Sequence, residues 1–200
     1  MDDKNTNRTI EYYNTHADRY SEVTRNADMS DIYKRFEEHL KPGSRILDLG
    51  CGSGRDSKYF LDKGYDVVSL DASETMCKKT YELTGRPALN MRIEDINCEN
   101  EFDAVWACAS MLHVDKGDMI KIFAKVMKAL KIGGVFYASW KYGKGEQTRD
   151  DGRTFANYTE TKVCDMVYSV SGAALEDVWT SQDVRPDRTC LLYTSDAADE

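Results

Sequence analysis

A short run of closely spaced glycines is the segment of this sequence best suited to bind a ligand. Gly50, Gly52 and Gly54 follow the mainly apolar residues 45–49, in the string DLGCGSG. Glycines at this spacing let the backbone turn tightly and approach a ligand without interference from a Cβ atom. A dinucleotide fingerprint, G-x-G-x-x-G, would place its third glycine at the position of Arg55. The spacing therefore predicts a ligand-binding loop and weakens the case for a nicotinamide or flavin cofactor.

An acid and a histidine are further candidates for chemistry. Asp71 closes the next apolar run, about 20 residues past the glycines, where a carboxylate can accept hydrogen bonds from both hydroxyls of a ribose. His113 is the histidine nearest the ends of the predicted strands. It is a candidate general base for a substrate hydroxyl or amine, with a packing role as the alternative. Cys51 has no adjacent histidine or metal partner, so a nucleophilic role is not predicted.

Alternating strands and helices must position these residues. Short apolar runs alternate with longer amphipathic stretches. The predicted strands cover residues 45–49, 66–70, 88–92, 102–108 and 134–140, and the predicted helices cover residues 54–63, 73–83 and 115–130. This alternation predicts an α/β fold, a three-layer Rossmann-like sandwich with a mostly parallel sheet covered by helices on both faces. In such a sheet the ligand lies at the carboxyl ends of the strands, where the glycines and Asp71 fall.

The two ends of the chain depart from this alternation. Tyr12, Tyr13 and Tyr20 share one face of a helix-like segment, and we expect residues 1–40 to form a helical lid over a core of residues 44–189. After the last predicted strand, the sequence predicts a polar loop over residues 141–157, a helix over 159–170 and a strand over 175–184.

Composition narrows the class of protein. The chain has 200 residues, 41% of them hydrophobic and 31% charged, which fits one globular domain. Its 27 basic and 35 acidic residues give a net charge of −8, which disfavours a sequence-independent hold on nucleic acid. The six cysteines and three histidines are scattered, so neither a metal site nor a disulfide framework is expected. With no apolar run long enough to cross a membrane and no visible signal peptide, we expect a cytoplasmic protein.

Five motifs in register resemble those of the class I S-adenosylmethionine-dependent methyltransferases. DLGCGSG followed by Arg55 and Asp56 resembles motif I of that family, and DASETM at residues 71–76 resembles its D-x-S-x-x-M. The acids of the EDI string at residues 94–96 fall where the family places a partner for the adenine amino group. FDAVWACASMLHV resembles the fourth-strand motif, and LKIGGVFY resembles the L-K-P-G-G before the fifth strand, with Ile132 in place of Pro. The resemblance runs from about residue 12 to residue 184.

The resemblance implies a cofactor, S-adenosylmethionine, and a set of residues that bind it. Asp48 would meet the methionine amino group, Asp71 the ribose, and Asp95, preferred over Glu94, the adenine. Met76 is equally suited to the adenine wall and to the helix core. The full set of predicted cofactor-binding residues is Tyr12, Tyr20, Asp48, Gly50, Cys51, Gly52, Arg55, Asp71, Ala72, Met76, Glu94, Asp95, Ile96, Ala107 and Cys108.

The expected function is methyl transfer to an O, N or S atom of a small molecule. The fourth strand ends in ACAS and not in the D/N-P-P-Y of enzymes that methylate amino groups of DNA or protein glutamine. We expect a monomer or weak dimer without a nucleic-acid partner or a membrane. The alternatives are an RNA methyltransferase, a non-catalytic S-adenosylmethionine-binding protein and a nucleotide-dependent oxidoreductase on the same fold.

The last eleven residues carry a separate prediction. Residues 190–200, CLLYTSDAADE, resemble the translation of a transposon-end sequencing adapter. We interpret them as a non-native tail on a domain of residues 1–189. Because this family's sheet ends in an antiparallel hairpin, we expect the last strand to be missing and its partner edge to be open.

Overall fold

A computed structural model of the protein describes residues 3–182 and 189–197. Three helices form the N-terminal segment: α1 (Asp3–Thr15), α2 (Ala17–Thr24) and α3 (Ser30–Glu37). No helix in these two ranges is long and apolar enough to cross a membrane.

A parallel sheet follows, as the alternation predicted. The bounds of its strands are Arg45–Leu49 (β1), Asp66–Asp71 (β2), Ala88–Asn90 (β3), Phe102–Ala107 (β4) and Leu130–Tyr142 (β5). The helices between and after them are Arg55–Asp62 (α4), Glu74–Thr84 (α5), Met119–Ala129 (α6) and Glu160–Tyr168 (α7). The strands pair in the order β3-β2-β1-β4-β5, with Leu47 level with Val68 on one side and Val105 on the other. The carboxyl ends of β1, β2 and β4 therefore meet at one edge.

Apolar side chains cover both faces of the sheet because successive residues of a strand point to opposite sides. On β4, Trp106 packs with Phe36 and Phe60 of the helices on one face, and its ring stacks on Tyr137 with centroids 4.1 Å apart. Val105, the residue before Trp106 in the strand, belongs to the core on the other face. The resulting helix–sheet–helix sandwich confirms the predicted fold class.

The polar segment predicted as a loop over residues 141–157 contains a hairpin. Its strands are β6 (Glu146–Thr148) and β7 (Thr154–Tyr158), and β7 continues the sheet by pairing in parallel with the last residues of β5. A loop was predicted because glycines and charged residues dominate this segment. It also contains a short run with Thr, Phe and Tyr, residue types that favour strands. The hairpin extends the sheet beside the edge where the ligand was expected.

The prediction of a missing last strand was wrong. Strand β9 (Thr189–Ala197) lies between β5 and β8 (Ala173–Gln182) and pairs antiparallel with both. The ladder is made by main-chain groups, and TCLLYTSDA has no proline to interrupt it. Within the described residues, seven strands thus follow the order β3-β2-β1-β4-β5-β9-β8, and β7 and β6 extend the sheet from the end of β5. The end of the strand predicted over 175–184 lies outside the described residues, and the foreign origin of residues 190–200 stays a prediction.

Candidate functional site

A cleft opens at the carboxyl ends of β1, β2 and β4, beneath α1 and α2. It encloses about 770 Å³, its open mouth included. Nine residues predicted from the sequence line it: Tyr20, Gly50, Gly52, Asp71, Ala72, Met76, Glu94, Cys108 and His113. We call it the main cleft.

The glycine loop forms one end of the main cleft. At two of its positions the neighbouring atoms are so close that only glycine fits. Gly50 and Gly54 have φ angles of +83° and +85°. A Cβ atom on Gly50 would lie 2.3 Å from Ser110 Cβ, and one on Gly54 would lie 2.9 Å from Thr80 Cα. Gly52 has the same sign of φ, but a Cβ there would meet only Tyr20, at 3.8 Å. Gly52 therefore faces the open side of the loop.

Asp71 is held at the end of β2 by two backbone groups. Its Oδ2 accepts from the Gly52 N–H at 2.9 Å, and its Oδ1 accepts from the Ser73 N–H at 2.8 Å. Burial raises the pKa of Asp71 above its ordinary value, while the two backbone hydrogen bonds oppose that shift. A carboxylate has about four lone-pair sites, so a fixed Asp71 can still accept hydrogen bonds from a ligand in the cleft.

Asp48 does not line the main cleft. It is 2% exposed behind the glycine loop, and its carboxylate accepts from the Ser57 hydroxyl, which also contacts Ser69 Oγ at 2.7 Å. Burial, together with the nearby Asp56 charge, raises the pKa of Asp48 well above its ordinary value. In this position Asp48 supports the loop from below.

Arg55 and Asp56 form a buried ion pair beside the loop. Arg55 Nε lies 2.6 Å from Asp56 Oδ1. Asp56 also accepts from the Tyr33 hydroxyl and, at 2.9 Å, from the indole N–H of Trp106. The pKa of Asp56 is lowered because the Arg55 charge and these donors outweigh burial. The sequence did not predict that Asp56 would bind side chains from α3, α4 and β4 at once. The only available signal was an acidic residue in the first turn of α4.

The remaining predicted residues are divided between the core and a neighbouring cleft. Ile96 and Ala107 are 2% and 0% exposed and belong to the core. Cys51 is buried, with its Sγ 3.4 Å from Thr80 Oγ1. Asp95 lies in a second cleft that adjoins the main one. Tyr12 stacks on His16 with ring centroids 4.3 Å apart and does not line the main cleft.

His113 is hydrogen-bonded at both ring nitrogens. Its Nδ1 lies 2.8 Å from the Thr154 carbonyl oxygen, which can only accept, so Nδ1 carries the proton. Its Nε2, 2.9 Å from the Tyr13 hydroxyl, is then the acceptor. Burial lowers the pKa of His113 to about 4. Tyr13, which the predicted set omitted, lines the main cleft beside Tyr20, and the tyrosine spacing in α1 was the signal that could have included it.

Polar contacts fasten the N-terminal helices over the main cleft. Asn14 Oδ1 accepts from the Ser73 hydroxyl at 2.6 Å and from the Thr75 N–H at 3.3 Å. Asp18 pairs with Lys79 of α5 at 2.5 Å. Helix α1 thus covers the cleft from the side opposite the sheet.

Comparisons with known proteins agree with this architecture. Residues 46–134 match a family model described as "Methyltransferase domain". A putative methyltransferase of Bacillus subtilis, YqeM, is 33% identical over 131 residues, 62% of this chain and 53% of that protein. Phosphoethanolamine N-methyltransferase 1 of Arabidopsis thaliana is 28% identical over 166 residues, 78% of this chain and 33% of the plant protein. The chain therefore spans about half the length of the first relative and a third of the second.

Among solved structures, a methyltransferase from Burkholderia thailandensis is similar over most of its length. The 1,6-didemethyltoxoflavin-N1-methyltransferase, crystallised with 1,6-didemethyltoxoflavin and S-adenosylhomocysteine, superposes with a TM-score of 0.80. It is 19% identical, and the match covers 97% of this chain and 88% of that one. At this identity the likeness establishes the fold, and it agrees with the predicted sandwich.

Proposed function

We propose that this chain is a class I S-adenosylmethionine-dependent methyltransferase and that it transfers a methyl group from S-adenosylmethionine to an O, N or S atom of a small molecule. The observation that carries this proposal is the fixed carboxylate of Asp71 beside the open backbone of Gly52, at the floor of a cleft large enough for a nucleoside. An acid so placed suits a ribose, and the glycine loop suits close approach by the rest of the ligand.

The lining of the main cleft fits S-adenosylmethionine along its length. Asp71 would hold the ribose hydroxyls, while Ala72, Met76 and Ile93 offer an apolar wall for the adenine. Gly52, which faces the open side of the loop, leaves room beside the backbone for the methionine part. When bound, the cofactor supplies a methyl group on a sulfonium, which is already activated for displacement. Asp48, Arg55 and Asp56 serve this site indirectly, because they hold the loop and its neighbouring helices in place.

The chain's own part in such a reaction is to position the reactants and exclude water. Tyr13 and Tyr20 roof the main cleft, and His113 fixes the Tyr13 hydroxyl in one orientation. His113 is neutral, and its free ring nitrogen already accepts the hydrogen bond from Tyr13. It is therefore better suited to positioning Tyr13 than to taking a proton from an acceptor. The role of His113 as a general base remains a prediction from the sequence.

A small-molecule acceptor, a cytoplasmic location and a monomer or weak dimer belong to the same proposal. The net charge of −8 supports a partner other than nucleic acid. The Arabidopsis and Burkholderia relatives carry the names of small molecules as their substrates.

Turnover tests this proposal. The protein is incubated with S-adenosylmethionine and a panel of amines, phenols, thiols and carboxylates, and S-adenosylhomocysteine is measured. We expect release that depends on one class of acceptor, and Gly50→Ala should reduce it because the loop would no longer close on Ser110. Tight binding of NADH, with no binding of S-adenosylmethionine, would contradict the proposal and favour an oxidoreductase.

A further inference from the structure

Three cationic side chains converge on one aromatic ring at the carboxyl edge of the sheet. The Nζ atom of Lys141, at the end of β5, lies 3.0 Å from the centroid of the Phe155 ring in β7. The guanidinium carbons of Arg149 and Arg153, in the turn between β6 and β7, lie 4.7 Å and 5.3 Å from the same centroid. We call these three cations the basic cluster.

The turn between β6 and β7 fixes the two arginines of the basic cluster. The Arg149 N–H donates to the Arg153 carbonyl, and the Gly152 N–H donates to the Arg149 carbonyl, both at 2.9 Å. Arg153 is 8% exposed and pairs with Asp151, with Nη2 2.6 Å from Oδ2. The basic cluster and this carboxylate together carry two positive charges in excess, although the net charge of the whole chain is −8. Because like charges repel, a bound anion would stabilise this arrangement.

A series of contacts links the basic cluster to one end of the main cleft. A Cβ atom on Gly52 would lie 3.8 Å from Tyr20 Cε1, and the Tyr20 ring packs edge-on against Tyr13 with centroids 5.2 Å apart. The guanidinium carbon of Arg153 lies 5.7 Å from the centroid of the Tyr13 ring. The basic cluster therefore adjoins the end of the cleft proposed for the methionine part, and not the end proposed for the adenine.

The charge of the basic cluster acts on the wall of the main cleft at His113. The His113 ring lines this cleft and packs against the Phe155 ring, with centroids 4.8 Å apart. Burial is the largest cause of the low pKa of His113, and the positive charges of Arg153 and Lys141 lower it further. A molecule that approaches the cofactor past His113 therefore enters a positive field, which favours an anionic group on that molecule.

The side chains of the basic cluster are of the types that bind oxyanions. A guanidinium presents its N–H donors as a planar fork, which matches two oxygens of a carboxylate or a phosphate group. The ammonium group of Lys141 adds a point charge with three donors beside the two forks.

We propose that the basic cluster is a subsite for the methyl acceptor and that it recognises an oxyanion on this molecule, a carboxylate or a phosphate group. The inference rests on the proposed function, because it names a chemical class of acceptor for the same site. It concerns recognition of the acceptor and does not assign the methylated atom.

Nuclear magnetic resonance titration tests this inference. Inorganic phosphate and acetate are added separately, at constant ionic strength, to isotope-labelled protein saturated with S-adenosylhomocysteine. Acetamide, an uncharged molecule of nearly the same shape as acetate, is titrated in parallel. We expect both anions to shift the side-chain Nε–Hε signals of Arg149 and Arg153 until saturation, and acetamide to leave them unchanged. The ring signals of His113 should shift too, because a bound anion would offset the charges that act on the ring.

Paired variants locate the anion in the basic cluster. Lys141→Gln with Arg149→Gln removes two positive charges and keeps the buried ion pair of Arg153. This pair should weaken phosphate binding, followed at the Arg153 signal, at least about tenfold because two charged donors are lost. The control, Lys34→Gln with Arg86→Gln, removes two positive charges from exposed positions and should leave the affinity unchanged. Both pairs should bind S-adenosylhomocysteine as the wild type does.

Each outcome decides the inference. Equal shifts with acetate and acetamide, no saturable binding of either anion, or equal losses in the two variant pairs would overturn it. Anion binding that leaves the His113 signals unmoved would overturn it too, because the basic cluster would then be separate from the main cleft. Phosphate that displaces S-adenosylhomocysteine would instead assign the basic cluster to the carboxylate of the cofactor, which also overturns the inference.

Failure of the proposed function gives a different result. If S-adenosylhomocysteine itself does not bind, the proposed function is overturned, and the same anion titrations on the free protein and its variants decide whether the basic cluster binds oxyanions.

Discussion

At the scale of single residues, His113 shows how burial sets a charge state. The ring donates to the Thr154 carbonyl and accepts from the Tyr13 hydroxyl, and it is partly enclosed by α1 and Phe155. Protonation of the ring would replace its acceptor nitrogen by a donor and break the bond from Tyr13. The same arrangement that lowers the pKa of His113 also fastens α1 to the sheet edge.

This arrangement predicts a pH dependence of stability. The folded-state pKa of His113, about 4, lies below the unfolded value near 6.5. Between these values the unfolded chain binds more protons, so His113 makes the free energy of unfolding fall as pH drops from 6.5 toward 4. In His113→Gln, which keeps a donor and an acceptor, this fall should be shallower by up to roughly 1.4 kcal/mol per pH unit.

Urea unfolding at pH 6.5, 5.5 and 4.5 measures the difference in slope between the two proteins. Carboxylates titrate in the same range, but they are common to both proteins and cancel in the comparison. Parallel pH profiles for the wild type and the variant would contradict a buried, neutral His113.

Residue spacing predicted that Asp71 and Gly52 lie at the same edge of the sheet, and the structure has them there because β1 and β2 end side by side. Their role in binding a cofactor stays a prediction. It could not show that Asp48 faces away from the cleft, since the direction of a side chain depends on how the loop turns above it. Ile96 and Ala107 were likewise assigned to the right segment but point into the core. Asp56 was missed because its partners, Tyr33 and Trp106, are distant in sequence.

At the scale of elements, the glycine loop is defined by its contact with the segment that follows β4. Gly50 approaches Ser110 so closely that no Cβ fits, and the Ser110 hydroxyl donates to the Leu49 carbonyl. Two strand ends are thus joined at the point where the main cleft begins.

This contact predicts unequal effects of the same substitution at two glycines. Gly50 and Gly64 have φ angles of +83° and +87°, so an alanine at either one pays a similar backbone penalty, roughly 1–2 kcal/mol. A Cβ on Gly64 meets nothing within 4 Å, whereas a Cβ on Gly50 strikes Ser110. Gly50→Ala should therefore lower the free energy of unfolding by about 1–3 kcal/mol more than Gly64→Ala.

Denaturant titration of the two variants measures this difference, and equal losses would show that the loop does not pack against Ser110 as described. The comparison is controlled internally, because both variants add one methyl group in the left-handed region of the backbone.

The strands of the central sheet were predictable because each is a short apolar run that glycines or charges interrupt. β1 begins and ends where the pattern placed it, whereas the predicted third strand was two residues too long. The hairpin of β6 and β7 and the last strand, β9, were not foreseen. Their formation depends on pairing with β5 and β8, which is a property of distant partners and not of the local pattern.

At the scale of the whole molecule, the proposed function depends on the residues that lie together at the carboxyl edge of the sheet. The two cores hold the helices on opposite faces, and α1 and the hairpin of β6 and β7 enclose the carboxyl edge from above and from the side. The main cleft is formed there, with His113 in its wall.

Calorimetric titration of S-adenosylhomocysteine tests whether the main cleft holds S-adenosylmethionine through Asp71. Asp71→Asn is compared with the wild type and with Asp66→Asn, at the exposed opposite end of the same strand. Loss of a hydrogen bond to a charged group costs roughly 1.5–3 kcal/mol, so Asp71→Asn should raise the Kd at least about tenfold. Asp66→Asn should leave the Kd unchanged. Wild-type affinity in Asp71→Asn would show that the cofactor is not held through Asp71.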